Sequence, residues 1–322
     1  MPGADYVVKR MGGALLTLFV VITMNFFLFR VLPGSSITNL ARDARLAPAQ
    51  QEALKKQFGL DRSMGGQYVS YLSQLVHGNL GLSYQSRSPV THELWQETKN
   101  TVPMVGLATV VAIILGTLTG LIAAWRRGGV SDTTSSAVAL AFYAMPVPWL
   151  GLMLLLILQP RLGLPAAGLS DAFALHTTTF SRLEDEAKHM VLPALTLALG
   201  LYGQFAVITR TSLLETLGED YVLVARAKGL ANLRTIVKHA LPNALLPIIT
   251  LSALSLGFVV GGSILVETVF SWPGLGNEVV QAISQRDYPM LEGCFLLLAV
   301  SVIVFNLLAD LVNLRLDPRT TV

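Results

Sequence analysis

The stretch Glu219–Pro247, EDYVLVARAKGLANLRTIVKHALPNALLP, is the longest polar interruption between two apolar segments on the side of the membrane that is richest in cations. Asp220 is a residue type that caps helices, and it predicts a short helix over Tyr221–Lys228. Gly229 suits the left-handed position that ends a helix. Asn232 caps a second predicted helix, which continues into the next apolar segment. The stretch therefore predicts a helix, a glycine elbow and a helix.

The first of these helices has little polar surface. Apolar side chains cover most of it, namely Tyr221, Val222, Leu223, Val224 and Leu230. Its small residues allow another backbone to approach closely, and these are Ala225, Ala227 and Gly229. A helix of this kind outside a membrane needs a protein groove to lie in.

The composition is that of a membrane protein. Of 322 residues, 52% are hydrophobic and only 13% are charged, and the mean hydropathy is +0.58. Soluble domains carry about 25% charged residues. The net charge of +3 is too small to indicate nucleic-acid binding. The one cysteine, Cys294, excludes an internal disulfide and a multi-cysteine metal site, and we expect it to serve packing.

Six segments are long and apolar enough to cross a bilayer as helices, which takes about 20 residues each. Their positions are 11–32, 102–124, 134–158, 190–209, 243–266 and 290–314. The sequence thus predicts an all-α integral membrane protein divided into an N-terminal end with the first helix (1–32), a folded extracytoplasmic region (33–100) and a core of five helices (101–322). Within the core, 210–242 forms a cytoplasmic loop and 267–289 an outer loop.

The cations favour one orientation across the membrane. With both termini in the cytoplasm, the inner segments hold 11 Lys and Arg in 58 residues, and the outer segments hold 12 in 124. This twofold difference in density agrees with the positive-inside rule. In the outer region after the first span, Pro48–Phe58 and Gln67–His77 are predicted helices. An apolar face of the second, Tyr68, Tyr71, Leu72, Leu75 and Val76, should lie against the membrane domain or its partner.

The spans contain two kinds of local motif, GxxxG patterns and a pair of prolines. GxxxG patterns begin at Gly116 and Gly257, and they favour helix packing inside one subunit over a contact between subunits. Pro146 and Pro148 each lack a backbone donor and break span three. The break either lines a translocation path or is a structural kink, because irregular backbone at that depth must face a cavity or protein.

The outer segment Glu267–Pro289, ETVFSWPGLGNEVVQAISQRDYP, is too aromatic for a mobile loop. Phe270 and Trp272 suit the membrane interface, Pro273–Gly274 turns the chain, and a short helix follows before Arg286–Asp287. We interpret it as a scoop or gate on the outer side. Near the inner end of span six, Asp310 either couples to an ion or pairs with a neighbouring group at the interface.

Sequence motifs for nucleotide binding and hydrolysis are absent. The chain has no GxxxxGK[ST] phosphate loop, and Gly274–Gly276 does not complete GxGxxG. His92–Glu93 lacks the second histidine of HExxH, and Gly81–Ser83 lacks the closing glycine of GxSxG. A catalytic role is therefore not expected. A secondary transporter or a channel of six spans stays open as an alternative, although the spans lack the mid-membrane charges and paired repeats that secondary transporters usually show.

Several motifs resemble one family of transport proteins. The stretch ARAKG followed by LPNA is similar to the cytoplasmic coupling loop of ABC importer permeases, in the form typical of the dipeptide/oligopeptide branch. VETVFSWPGLG, RDYP and the closing NLLADLVNLRLDPR resemble the same branch. Leu223 and Val224 replace the Glu-Ala of the general motif, and His239 replaces its Ile. The matching or coupling positions are Tyr221, Ala225, Arg226, Ala227, Lys228, Gly229, Leu230, Leu241 and Pro242.

The resemblance implies the subunit's partners and setting. It implies a permease of the type I importer fold in the inner membrane of a prokaryote, paired with a second homologous permease, two cytoplasmic ATPase subunits and an extracytoplasmic binding protein. ATP and Mg would be bound by the ATPase subunits, with no cofactor in this chain. Peptide is the implied solute, and nickel or glutathione are alternatives that similar permeases carry.

Overall fold

The computed structural model describes residues 4–30, 47–49, 52, 62–171, 174 and 178–316. Across these ranges the chain forms helices, and the one β feature is an isolated bridge between Leu82 and Pro89. In chain order the helices are α1 (Ala4–Arg30), α2 (Met64–Val76), α3 (Val90–Trp125), α4 (Val130–Ala144), α5 (Val147–Ile157), α6 (Thr179–Leu217), α7 (Asp220–Ala227), α8 (Leu246–Gly262), α9 (Ile264–Val269), α10 (Leu275–Gln285) and α11 (Tyr288–Leu316), with short turns over Gln159–Leu162 and Asn232–Ala244.

Four of these helices, α1, α3, α6 and α11, are each long and apolar enough to cross a membrane alone. Two further candidates are bent pairs: α4 with α5, which meet at 106°, and Ile236–Ala244 with α8, which meet at 41°. The all-α membrane fold is therefore confirmed. The described residues provide four apolar spans, or six if each bent pair counts as one.

One span, α6, begins well before its apolar sequence does. Helix α6 starts at Thr179 because Thr178 and Ser181 form a capping box, in which each side chain bonds the other's backbone N–H. Ion pairs one turn apart, Arg182–Glu186 and Lys188–Glu184, then support its polar first turns. Hydropathy alone does not detect polar helical turns of this kind.

The centre of the molecule is the pair α3 and α6, which pack at very short distance. A methyl group on Gly116 would lie 2.5 Å from Cβ of Phe205, and one on Gly120 would lie 2.5 Å from the carbonyl oxygen of Ala206. A methyl group on Gly257 would lie 3.2 Å from Cβ of Phe305 and 3.4 Å from Cα of Val302, both in α11, which is a looser contact. The GxxxG positions described here therefore serve packing inside one subunit, as predicted.

Helix α2 lies on α1, and α1 lies on α11. The hydroxyls of Thr23 and Tyr68 are 2.7 Å apart, and Phe26 is fully buried against the rings of Tyr68 and Tyr71. On the predicted apolar face of α2, Tyr71 is buried against α1, whereas Val76, the last residue of the helix, is 85% exposed in the isolated chain. The predicted helix Pro48–Phe58 lies mostly outside the described residues.

Candidate functional site

The coupling segment, which we define as Glu219–Pro247, begins with α7. Glu219 occupies the cap position without a side-chain bond, so the prediction that Asp220 caps the helix is wrong. Asp220 is instead the first helical residue, where its charge favours the positive end of the helix dipole. At the other end Gly229 has a φ of +79°, and its N–H donates to the carbonyl of Arg226 at 2.9 Å. The glycine elbow is present as predicted.

One face of α7 packs against its own chain. Val222 is fully buried and Ala225 is 6% exposed. Val222 belongs to a compact cluster from α3, α6 and the turns after the elbow, whose other buried members are Ala124, Leu213, Ile236, Ala240 and Ala244. Nδ2 of Asn243 also donates to the Tyr221 hydroxyl at 2.6 Å. These contacts fix where α7 lies on the end of the bundle.

The opposite face of α7 is apolar and open. Tyr221, Leu223 and Val224 are 41%, 49% and 53% exposed. A methyl group added to Gly229 would meet no atom within 4 Å, so the elbow lies in open space. The cations Arg226 and Lys228 at the end of the helix are also exposed. An exposed apolar face on a short, firmly placed helix is the geometry of a knob that enters a partner's groove.

The chain after the elbow is not the single continuous helix that the sequence predicted. Asn232–Thr235 is one α-helical turn, Ile236–Ala240 is a π-helical turn, and Leu241–Ala244 follows before α8. Pro242 has no N–H and clashes with a carbonyl of the preceding turn, and the N–H of Leu241 accordingly bonds Ile236, five residues back. The Ser212 hydroxyl donates to the carbonyl of Ala244 at 3.0 Å, which satisfies an acceptor at the second break.

An ion pair between a half-buried arginine and a buried aspartate, which the sequence did not reveal, supports the same end of the molecule. The guanidinium of Arg210 contacts both carboxylate oxygens of Asp132, at 2.6 and 2.9 Å, and Asp132 also accepts from the N–H of Gly128 at 3.0 Å. The pair joins the start of α4 to α6. An aspartate in the first turn of an apolar span is a visible signal, but its partner lies 78 positions away and has no local pattern.

The outer segment, Glu267–Pro289, is organised by one buried carboxylate. Glu267 has no exposed surface, and its Oε1 accepts from the hydroxyls of Thr101 and Ser263, each at 2.8 Å. Its Oε2 accepts from the backbone N–H groups of Gly276 and Asn277 at 2.7 and 3.0 Å. Burial raises the pKa of Glu267, and these four hydrogen bonds oppose that rise.

The aromatic residues of the outer segment are in the core, so their expected position at the membrane interface is wrong. Phe270 is 1% exposed and Trp272 is fully buried. Nε1 of Trp272 donates to the carbonyl of Asn100, and Nδ2 of Asn100 donates to that of Pro273. The carbonyl of Phe270 accepts from Gly168. The indole thus finds its polar partner inside the protein and does not need the lipid headgroups.

The rest of the outer segment is also held tightly. A methyl group on Gly274 would lie 2.5 Å from Oγ1 of Thr101, so only glycine fits there. Asp287 is 2% exposed and accepts from the Ser83 hydroxyl at 2.6 Å and from the N–H of Gln85 at 3.2 Å. Arg286 ends α10 in the left-handed conformation, and its side chain is exposed and separate from this group.

Acidic side chains gather around the outer segment. Burial raises the pKa of Glu278, and the nearby carboxylates of Glu93 and Asp287 raise it further.

The contacts of the outer segment join Glu267, Pro273, Gly274 and the two aromatic residues into one packed unit, as the sequence predicts. It does not join Arg286 to that unit.

The break between α4 and α5 lies where the prolines predict it. Pro146 precedes the first residue of α5 and Pro148 lies in its first turn, where a missing N–H costs nothing. The prediction of a broken span is confirmed. Pro146 is exposed and Pro148 is half-buried, so both are near the surface of the isolated chain.

Comparison with known protein families assigns the chain to one of them. The family described as binding-protein-dependent transport system inner membrane component matches residues 116–322, and the N-terminal family of the same membrane components matches residues 4–105. The chain belongs to this family of inner membrane transport components. As a member it is a multi-pass permease subunit, and a permease of this family is not itself catalytic.

The permease is similar to curated transport proteins along its whole length. It is 36% identical to the dipeptide transport system permease protein DppB of Escherichia coli K12, over 98% of both chains. It is also 36% identical to the di/tripeptide transport system permease protein DppB of Pseudomonas aeruginosa and 35% identical to the glutathione transport system permease protein GsiC of Escherichia coli K12, again over 98% of each chain.

The fold of the permease is also that of a solved transporter. A chain in an inward-facing structure of the MetNI methionine ABC transporter matches with a TM-score of 0.58 and 18% identity, covering 70% of this chain and 96% of that one. At this identity the likeness concerns the fold. In the described residues, no group of three or more His, Cys, Asp or Glu side chains is arranged to hold a metal ion.

Proposed function

We propose that this chain is one of two permease subunits of an ATP-driven importer of dipeptides and oligopeptides. The observation that carries the proposal is 36% identity to two DppB permeases over 98% of each chain. The conserved length means that the same spans and loops are available for the same task. The open apolar face of α7 supplies the contact through which a partner could drive this chain.

The proposal includes the membrane arrangement. Each bent pair forms one span, which gives six, and the N- and C-termini lie in the cytoplasm. The coupling segment and the cation-rich turns then lie on the cytoplasmic side. This agrees with the density of Lys and Arg, which is about twice as high in the inner segments as in the outer ones. The outer segment and α2 lie on the opposite side, where they form the gate and the surface that receives solute.

The proposed assembly contains a second homologous permease, two ATPase subunits and an extracytoplasmic binding protein besides this chain. The ATPase subunits bind ATP and Mg. No cofactor is proposed for this chain itself. Leu223, Val224 and Tyr221 would enter a groove of one ATPase subunit, and Arg226 and Lys228 would lie at its rim. Solute would cross between the two permeases, near the break at Pro146 and Pro148.

Glutathione is the second candidate solute. It rests on 35% identity to the permease GsiC over 98% of both chains, nearly the value for the dipeptide permeases. Glutathione is itself a tripeptide, so the two candidates share a chemical class. The binding protein that delivers the solute would decide between them.

Transport in proteoliposomes tests the proposal. The complete complex, with its binding protein present, should take up labelled dipeptide only when ATP is inside with the ATPase subunits. The purified permease alone should hydrolyse no ATP, because it has no phosphate-binding loop. Uptake by the permease alone down a proton or sodium gradient would instead establish a secondary transporter, and gradient-independent leak would establish a channel.

Cysteine labelling tests the orientation separately. With Cys294 replaced by alanine, single cysteines at Ser73, Ser284 and Leu223 are placed on exposed positions of α2, α10 and α7. An impermeant thiol reagent added to intact cells should label the first two and spare the third. In permease expressed without its ATPase subunits, all three should react once the membrane is opened. Labelling at Leu223 in intact cells would reverse the proposed topology and remove the coupling role of α7.

A further inference from the structure

Helices α1 and α11 line a partly open cavity that the transport proposal does not use. It has a volume of about 350 Å³ and lies at the end of the bundle that also carries α7. Its polar lining comes from Lys9, Arg10, Thr17, Asn306 and Asp310. Neither the coupling segment nor the outer segment contributes to it.

Small residues on α1 keep this cavity open. Gly13 and Ala14 line it, and a methyl group added to Gly13 would meet no atom within 4 Å. Across from them Ile303 and Leu307 of α11 provide an apolar wall. The cavity is therefore charged at one end and apolar at the other, which matches the profile of the membrane surface that the ends of two spans must cross.

The charges in the cavity do not cancel. Arg10 pairs with Asp310 at 3.0 Å, with the two side chains 49% and 30% exposed. Lys9 is exposed, and within the described part of the chain it makes no ion pair. The lining thus keeps one positive charge in excess, at the level where an anionic headgroup would lie.

A second observation points to a ligand with a hydrogen-bond donor. Oδ1 of Asn306 is buried and, among the described residues, has no donor. A buried amide oxygen without a partner costs free energy, and native proteins rarely leave one. Asn306 lines the cavity one helical turn deeper than Asp310, so a rotation of its side chain can bring Oδ1 to a donor in the cavity.

We propose that this cavity binds one anionic phospholipid whose headgroup carries hydroxyl groups, with phosphatidylglycerol as the chemical type. Lys9 attracts the phosphate, Asn306 accepts from a headgroup hydroxyl, and the acyl chains leave along Ile303 and Leu307. Basic pockets between spans bind acidic headgroups for the same electrostatic reason. Phosphatidylcholine fits poorly because it has no net charge and no hydrogen-bond donor.

Native mass spectrometry of the whole transporter complex tests this site, with phosphatidylglycerol or phosphatidylcholine added in steps. Wild type should bind phosphatidylglycerol with higher affinity than phosphatidylcholine. Lys9→Gln should weaken phosphatidylglycerol binding about fivefold, since one cation near the surface contributes about a factor of that size. Asn306→Leu should weaken it as well and should leave phosphatidylcholine unaffected.

Two further variants make the test specific. Arg127→Gln removes one exposed cation from another turn at the same end and should leave phosphatidylglycerol binding unchanged. Asp310→Asn removes the one negative charge of the cavity lining and should raise the affinity severalfold, an outcome that loosening of α1 from α11 would not produce. The proposal is overturned if Lys9→Gln and Arg127→Gln act equally, if Asp310→Asn weakens binding, or if the wild-type complex binds neither lipid because a second permease fills the cavity.

Discussion

The coupling segment and the outer segment both contain a short helix, a glycine at a turn and a mixture of aromatic and charged residues, yet their surroundings are opposite. Around Gly229 a methyl group would meet nothing within 4 Å, whereas on Gly274 it would lie 2.5 Å from Thr101. Leu223 is 49% exposed, whereas Trp272 is fully buried. The coupling segment leaves an apolar face without contacts in the isolated chain, whereas the outer segment already makes its contacts within the chain.

This difference separates two uses of similar sequence. In the outer segment the contacts are internal, so substitutions there should act first on the folding of this subunit. In the coupling segment one face of α7 is packed and the other is free, so substitutions on the free face should act on a partner. Each prediction below tests which of these two descriptions applies to a residue, in order of decreasing effect.

The largest effect is expected from Glu267→Leu in the outer segment. The substitution leaves the N–H groups of Gly276 and Asn277 buried without an acceptor, at about 1–3 kcal/mol each. The detergent-purified permease should unfold at clearly lower temperature or be recovered in low yield. Glu219→Leu is the matched control in the coupling segment, since Glu219 is exposed and makes no side-chain cap bond. If both variants unfold at the same temperature as the wild type, the carboxylate of Glu267 does not stabilise the outer segment.

Gly229→Val should have the next largest effect, on assembly with the ATPase subunits. A β-branched residue at positive φ costs about 1–3 kcal/mol of strain and adds bulk where the partner approaches. Co-purification of the ATPase subunits, or ATP-driven uptake, should fall about tenfold or more, because 1.4 kcal/mol is a factor of ten. Membrane insertion should be normal.

Gly128→Val is the control for backbone strain. Gly128 has a φ of +78°, lies in open space as Gly229 does, and belongs to a different turn at the same end. It should carry a similar strain and leave ATPase binding intact. If both valine variants lose the ATPase subunits equally, strain in the permease explains the loss, and the elbow has no special part in coupling.

Leu223→Ala should weaken ATPase binding by a smaller factor, about fivefold. Full burial of a leucine side chain is worth about 1.5–3 kcal/mol, and Leu223 is already half-buried in the isolated chain. Val222→Ala is the comparison on the packed face of α7, where the loss should appear as lower thermal stability of the permease. Titration of the complex with ATPase subunits, together with melting curves, separates the two faces. The account fails here if Leu223→Ala lowers stability and leaves binding unchanged.

The smallest effect is expected from Arg226→Glu. An exposed charge at the rim contributes about 0–1 kcal/mol and is screened by salt. ATPase binding should therefore fall by at most a few fold at low ionic strength. At high ionic strength, where salt screens the charge, the variant should bind as the wild type does. A large loss that salt does not change would mean that Arg226 is buried in the complex and makes a specific contact.

The parts of this structure that the sequence predicted are those with a local cause. Apolar length predicts the spans, positive φ at Gly229 follows from the residue itself, and the break at Pro146 follows from a missing donor. The rest depends on contacts between distant positions. Trp272 is buried because Asn100, 172 positions away, accepts its N–H, and no local pattern distinguishes it from a tryptophan at the membrane interface. The carbonyl of Ala244 likewise finds its partner in Ser212 of α6, 32 positions away.

The central claim is that α7 docks on an ATPase subunit and that the outer segment does not. Photo-crosslinking of the assembled complex in membranes tests it, with benzoylphenylalanine at Leu223 of α7 or at Ile283 of α10, which are 49% and 56% exposed. The account predicts an adduct with an ATPase subunit from position 223 and none from position 283. An ATPase adduct from position 283, together with none from position 223, would contradict it.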